Sequence, residues 1–531
     1  MSLEVIYYDK PVNAGEKYTG LCQDFCDLSL LNYKRNHKLT PYEPIITLEP
    51  DSWVLDGSRT VLTPFSPPPF WGTQLSDDEG ELSEPALVQV QLAQPCTASG
   101  VTVIFWEESE QWCSRVTLRW YQGNTLLAQE RVYPDSPRLV VQKLVKDFDR
   151  LEFSMESTSQ PYRFPRLTYL QIGQEITFRD DSLVGVTLLT EHDPTGCKLS
   201  ADTMTVEVYD ESHIIEPQEN QPLELYRSGK LITSQSITAS RRTGEFRYTL
   251  TAQSMVGMLE ERFYGGIFEY ESPWQMLSYI LDSQYGFEVD RTLADQYING
   301  YLPVCTRREA LQQLAFVLGA RVASSDGKIR LLSMEQQPTG AFLPEEIFSG
   351  AQLESEAKLV KLEVTAHSYT PGDQEQVLMD NVYVDGENVT LALDTPCTQC
   401  RVEGGTLVDT GANFITVTAH GNIRVLGIPY IHTGVIHSRR LPGSGSVLTV
   451  DSATLVNGDN VESVMDRLMA VSHARQKLTQ DVVLGEQFAG QLVESPTPWG
   501  SQLQGCITSI EAHMTPRGQT ATVTIQGSEV N

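Results

Sequence analysis

The chain has 531 residues, with 39 Lys and Arg against 69 Asp and Glu, a formal net charge of −30. Hydrophobic residues at 40% and charged residues at 20% describe folded domains rather than global disorder, and at about 150 residues per domain the length predicts about three to five of them. The acidic excess argues against a surface that grips nucleic-acid phosphates in general, and no apolar run reaches the roughly 18 residues a membrane-spanning helix needs.

The N-terminus, Met1-Ser2-Leu3-Glu4-Val5-Ile6, carries an acidic residue and no basic segment, so the expectation is a chain without a cleaved signal, made and folded in a cytoplasm. The first 80 or so residues are irregular and rich in Tyr, Pro and Asp, with Pro67-Pro68-Pro69 followed by Phe70-Trp71. Proline cannot donate to a sheet ladder, so residues 1–44 are expected to form an extended arm laid over another domain.

Residues 45–173 read as a β-sandwich. Val116, Leu118 and Trp120 alternate with Thr117, Arg119 and Tyr121, the period of two that buries one face of a sheet. Turn signals at Gln122-Gly123-Asn124 and Pro134-Asp135-Ser136-Pro137 separate the strands. A second β block occupies 174–255, where Met204, Val206 and Val208 alternate with polar residues.

The period then changes, and 256–335 reads as a small α+β lobe. Ser272-Pro273-Trp274-Gln275 combines a Ser cap, Pro at the first helical position and Gln three residues after the cap, with Trp274, Leu277 and Leu281 assigned to one face. Thr306 to Glu309 is a second capping box, followed by Leu311, Leu314, Ala315 and Leu318 at helical spacing. Asp326-Gly327 between two short apolar runs predicts a hairpin. From 336 to 452 the pattern returns to strands, and 453–531 reads as a helix with Val461, Val464, Met465 and Leu468 inward, then a closing hairpin turning at Arg517-Gly518. The fold class expected is mainly β and multidomain, with smaller α+β parts.

Chemistry is sparse. The nine cysteines are scattered without a regular frame, which does not suit a secreted disulfide scaffold. Cys397-Thr-Gln-Cys400 is the single C-x-x-C, and the spacing to His420 and His432 matches no zinc module. No metalloprotease, phosphate-loop or nucleophile-elbow motif occurs, so no enzyme activity, catalytic residue, metal or cofactor is expected. Asp210, Glu211 and His213 cluster after a strand, where a solvated strand end is the plainer reading. Arg241-Arg242 and Arg439-Arg440 are too isolated for a nucleic-acid footprint. The aromatics are more specific. Trp71, Trp106 and Trp112 flank an acidic loop at one end of the sandwich, where indoles can stack on sugar faces while carboxylates accept sugar hydroxyls. The alternative is that these indoles plug the core or pack under the N-terminal arm.

From residue 174 to the C-terminus the chain resembles the tail hub proteins of bacteriophages and contractile injection systems, the family of the bacteriophage T4 baseplate hub. The resemblance rests on order: strands at Glu175–Phe178 and Thr203–Val208, the strand-to-helix passage around Thr251-Ala252-Gln253, the helical lobe, the hairpin at 321–332, then a second β block. It implies a homotrimer whose two barrel-like β domains per subunit form a pseudo-sixfold ring. Implied partners are a tail tube or distal tail protein, a spike or tip protein and a tape measure protein, with DNA only in passage. Residues 45–173 look like a discoidin-type, galactose-binding-like module placed ahead of the hub, which carries the alternative of a tail-tip adhesin for a cell-surface glycan. The location implied is a virion or tail-like particle.

Overall fold

The computed structural model describes residues 2–12, 14–32, 47, 49–50, 68–106, 110–211, 216–282, 285–324 and 327–530. The fold is mainly β and multidomain, with three α-helices among the described residues.

Leu3, Val5 and Tyr7 point one way from the first strand, Leu3–Asp9, and are buried at 6%, 0% and 0% exposure. That strand is not part of an overlying arm. It is hydrogen-bonded along both edges, antiparallel to Gln174–Arg179 and to Pro222–Arg227, with Ile6 opposite Thr177 on one side and Glu224 on the other. The expected arm at 1–44 is corrected accordingly: its first strand belongs inside the first β unit, while Lys17–Gly20 joins the following domain by pairing with Glu81–Ile104. The partners of Leu3–Asp9 lie more than 160 residues away, beyond the reach of any local turn signal.

The intervening segment is thus an insertion into the first β unit. It is built on two long strands, Glu81–Ile104 and Arg138–Ser157, whose pairing shifts register at several bulges and so bends one six-stranded sheet around Trp120, Phe148 and Phe153. A buried polar clamp ties the insertion back. Asp9 accepts from the Ser99 backbone N–H at 2.6 Å and from the Gln221 side chain at 3.0 Å, and the Gln174 amide donates to Ser99 Oγ at 2.7 Å. At the return, Gly173 has φ +98°, and a Cβ there would sit 1.6 Å from the Asp9 carbonyl, so only glycine fits.

The first β unit continues through Leu183–Glu191, Thr203–Tyr209, Lys230–Arg242 and Arg247–Gln253. The second unit is not the expected block at 336–452. It takes only Gly340–Ala341 and Gln352–Ser355 from that span, and its main strands are Gln476–Val482, Leu492–Pro496, Gln502–Thr515 and Gly518–Val530. The two units meet edge to edge: Leu183–Glu191 runs antiparallel to Gln502–Thr515 from Val186 opposite Met514 to Glu191 opposite Ser509. One 13-stranded sheet and one hydrophobic core result, from Leu3 to Ile525.

Residues 359–450 build a separate six-stranded sheet instead. Its spine is the 27-residue strand Phe414–Arg440, which pairs with Leu359–Pro371, Gln376–Ala392, Cys397–Glu403 and Thr406–Thr410. Alternation marks strands in both bodies equally, so periodicity could not sort them.

The lobe contains helices α1 (Pro273–Leu281) and α2 (Arg307–Leu318), and both capping boxes form: Gln275 N–H donates to Ser272 Oγ at 3.3 Å, and Glu309 N–H to Thr306 Oγ1 at 3.1 Å. Leu311, Leu314 and Ala315 are buried, and Gly319 ends α2 in the left-handed conformation at φ +62°. Leu277 and Leu281 are buried as expected, but Trp274 is 59% exposed and lies beside Phe287 with ring centroids 5.6 Å apart. Ala320–Ala323 and Lys328–Ser333 pair as the expected hairpin, although Asp326 lies outside the described residues. Helix α3 (Val461–His473) buries Val461, Val464, Met465 and Leu468 against Leu362 and Val364.

Candidate functional site

The predicted sugar platform is brought together in part and closed. Phe70–Trp71 pairs with Arg166–Leu167, and Trp106 bridges to Gln111, which sets both indoles against one guanidinium. Arg166 Cζ lies 3.8 Å from the Trp71 ring centroid and 4.3 Å from that of Trp106. The same side chain pairs with Glu49, both about 2% exposed, and donates to Gln111 Oε1 at 2.8 Å. Glu49 in turn accepts from Phe164 N–H and from Thr47 Oγ1, each at 2.8 Å. Burial pulls the Arg166 pKa down and Glu49 opposes it. Phe25 covers Trp71 edge-on at 5.4 Å.

Trp71 and Trp106 are therefore 3% and 4% exposed. A sugar needs an open ring face, and here the guanidinium occupies it. Trp112 is half-buried against the core of the insertion and donates its Nε1–H to the Pro134 carbonyl at 3.0 Å. Of the two readings the sequence offered, packing describes Trp71 and Trp106, while Trp112 is half-buried. The residue that packs against both indoles is Arg166, which the sequence did not single out and which pairs with a carboxylate 117 positions earlier.

The other candidates stay apart. Asp210 is buried and Glu211 holds the Tyr209 hydroxyl, while His213 lies outside the described residues. Cys397 and Cys400 sit on a bulged strand, where the Cys397 thiol donates to the Thr395 carbonyl at 2.8 Å; the proximity of the two sulfurs holds the Cys400 pKa down to about 7 and raises that of Cys397. His420 pairs with Asp385 at 2.7 Å, and His432 with His367 at 2.9 Å. Among the described residues no three His, Cys, Asp or Glu side chains converge as a metal set, and no helix is long and apolar enough to cross a membrane.

What the geometry does provide is a joint. The strand pair Leu183–Glu191 and Gln502–Thr515 welds the two β units, and the α+β lobe packs beside it through Arg321, which together with His192 at the end of the first-unit strand approaches Gly490 of the second unit. Gly490 has φ +91°, and a Cβ there would lie 2.4 Å from Arg321 Cδ and 3.2 Å from His192 Cγ.

No family model matches the sequence, and no curated protein matches it. Solved structures do. The 43 kDa tail protein of prophage MuSo2 from Shewanella oneidensis is 11% identical at a TM-score of 0.41, over 66% of this chain and 95% of that one. A tail protein from Neisseria meningitidis is 10% identical at 0.42, over 67% and 94%. A prophage tail protein from Listeria monocytogenes is 11% identical at 0.39, over 66% and 91%.

Proposed function

We propose that this chain is a structural hub protein of a phage tail or tail-like particle, with no catalysis of its own. In this reading three copies close a ring of six β units between a hexameric tube and a threefold spike or tip. The seam carries the proposal. Two β units of one chain share one sheet through Leu183–Glu191 and Gln502–Thr515, and one core, so each copy brings two units at a fixed spacing. Conversion of threefold into sixfold symmetry needs that covalent and hydrogen-bonded pairing. Under the same reading the tube or distal tail protein, the spike or tip and the tape measure protein are the partners. The discoidin-type module becomes a peripheral attachment inserted into the first unit. The net charge of −30 keeps passing DNA from sticking to the bore wall.

Native mass spectrometry and a cryo-EM reconstruction of the assembled particle test this. The expected result is a threefold ring with six β units around an acidic bore. A stable monomer that never joins a tube, or a ring of another order, overturns it. A neutral or basic bore removes the charge argument alone.

A further inference from the structure

A cavity of about 440 Å³ opens at the joint, within the range of small-ligand sites. The seam strands supply an apolar floor through Leu188, Ala512 and Met514. Four cations line it, and three are engaged: Arg227 and Lys230 both pair with Glu486, and Arg330 donates to Glu288 at 2.9 Å. Arg321 is different. Its guanidinium lies 4.6 Å over the Phe488 ring and, among the described residues, has neither a hydrogen bond nor an ion pair. Asp202 and Glu335 act on it only at longer range.

Two more polar groups of the same cavity are orphaned. His192 Nε2 and Ser324 Oγ are buried without a hydrogen-bond partner, and Ser324 is 7% exposed. Buried polar atoms are almost always satisfied, so two such unsatisfied groups beside a guanidinium that has no hydrogen bond among the described residues point to a ligand. Gly490 points the same way, since a side chain there would push Arg321 and His192 out of place.

We propose that this cavity binds a single carboxylate carried on an apolar body. The guanidinium offers paired N–H donors that match a carboxylate, with Ser324 and the Nε2–H tautomer of His192 completing the donor set. The Leu188, Ala512 and Met514 floor takes the body. Glu191, Asp202 and Glu486 also line the cavity, so more highly charged anions such as phosphates are repelled. The carboxylate belongs either to a free small molecule or to the chain end of a partner protein. The inference stands whether or not the chain forms a ring.

The test is isothermal titration on the full-length protein with octanoate, octanamide, N-acetyl-leucyl-leucine and the amide of that dipeptide. At least one acid is expected to bind one site per chain about tenfold or more tighter than its amide. Arg321→Met is expected to erase that preference while leaving the ligand-free melting temperature no lower. A tighter dipeptide acid identifies a partner's chain end, and a tighter octanoate a free small carboxylate. Equal affinity of acids and amides, or no binding by either acid at about 1 mM, overturns the proposal. So does a preference that survives Arg321→Met, or a melting temperature that falls with affinity unchanged, which would mark Arg321 as a purely structural partner of Asp202 and Glu335. Should that variant not fold, the structure of the wild-type complex decides: a carboxylate not hydrogen-bonded to Arg321 overturns the site.

Discussion

Arg166 and Arg321 both lie over aromatic rings, one in the inserted domain and one at the joint between the β units. Arg166 is enclosed by Trp71 and Trp106 and has Glu49 and Gln111 as polar partners, with only its buried Nε lacking one among the described residues. Arg321 has one ring, Phe488, an open cavity and, among the described residues, no hydrogen bond or ion pair. The difference teaches how to separate a scaffold from a site. A buried charge held by a counter-charge of the same chain, as Arg166 is by Glu49, holds the fold together. One whose bonds remain open at a cavity wall leaves capacity for something else.

The comparison breaks most visibly at Glu49. Glu49→Gln leaves Arg166 buried without its counter-charge, and urea unfolding is expected to show a loss of about 3–5 kcal/mol. Trp106→Ala is expected to lose a similar amount, about 3–5 kcal/mol, as a large core truncation. A change below about 0.5 kcal/mol in either would return the cluster to the class of surface platforms.

At the joint the expected sign is reversed. Burial lifts the Asp202 pKa from 3.8 to about 6 and lowers that of His192 from 6.5 to about 4, with Arg321, Glu191 and Asp193 as the charged neighbours. The Asp202 contribution to stability is full below about pH 4 and lost as pH rises through about 6. The His192 contribution is full above about pH 6.5 and lost as pH falls through about 4. The two slopes oppose each other, so Asp202 and His192 together contribute little net pH dependence between these limits. Asp202→Asn should stabilise the protein at pH 7 by about 2–3 kcal/mol and uncover the acid sensitivity of His192, measured by melting temperature against pH. A variant no more stable than wild type at pH 7 would show that Asp202 is not held at a cost.

Smaller effects sharpen the picture. Gly490→Ala forces a side chain into φ +91° and against Arg321, with an expected loss of about 1–2 kcal/mol in chemical denaturation. Ser272→Ala removes the cap of α1 and is expected to cost about 1 kcal/mol by the same measurement. An unchanged midpoint in the latter would mean the lobe's tertiary packing, not its cap, sets the helix start.

Legibility followed the range of the interaction. The boxes at Ser272 and Thr306, the buried stripe of α3 and the hairpin at Arg517-Gly518 involve residues within a few positions of one another, and all were readable. Trp274 was misread because an apolar residue at helical spacing carries no label for which neighbour covers it. The sequence singled out the tryptophans but left packing and sugar stacking both open, because Arg166 and Glu49 reach them only through pairing across the fold. Arg321, His192 and Ser324 had no sequence signal at all, since being unsatisfied is a property of surroundings.

By itself, then, the sequence determined a mainly β, multidomain, acidic chain with an α+β lobe, because side-chain period, caps and turns are local. The tertiary structure alone decided that Leu3–Asp9 lies between Gln174–Arg179 and Pro222–Arg227, and that Leu183–Glu191 joins Gln502–Thr515. Strand alternation says which face is buried and not which strand lies alongside, and that choice is made by the packing of one shared core.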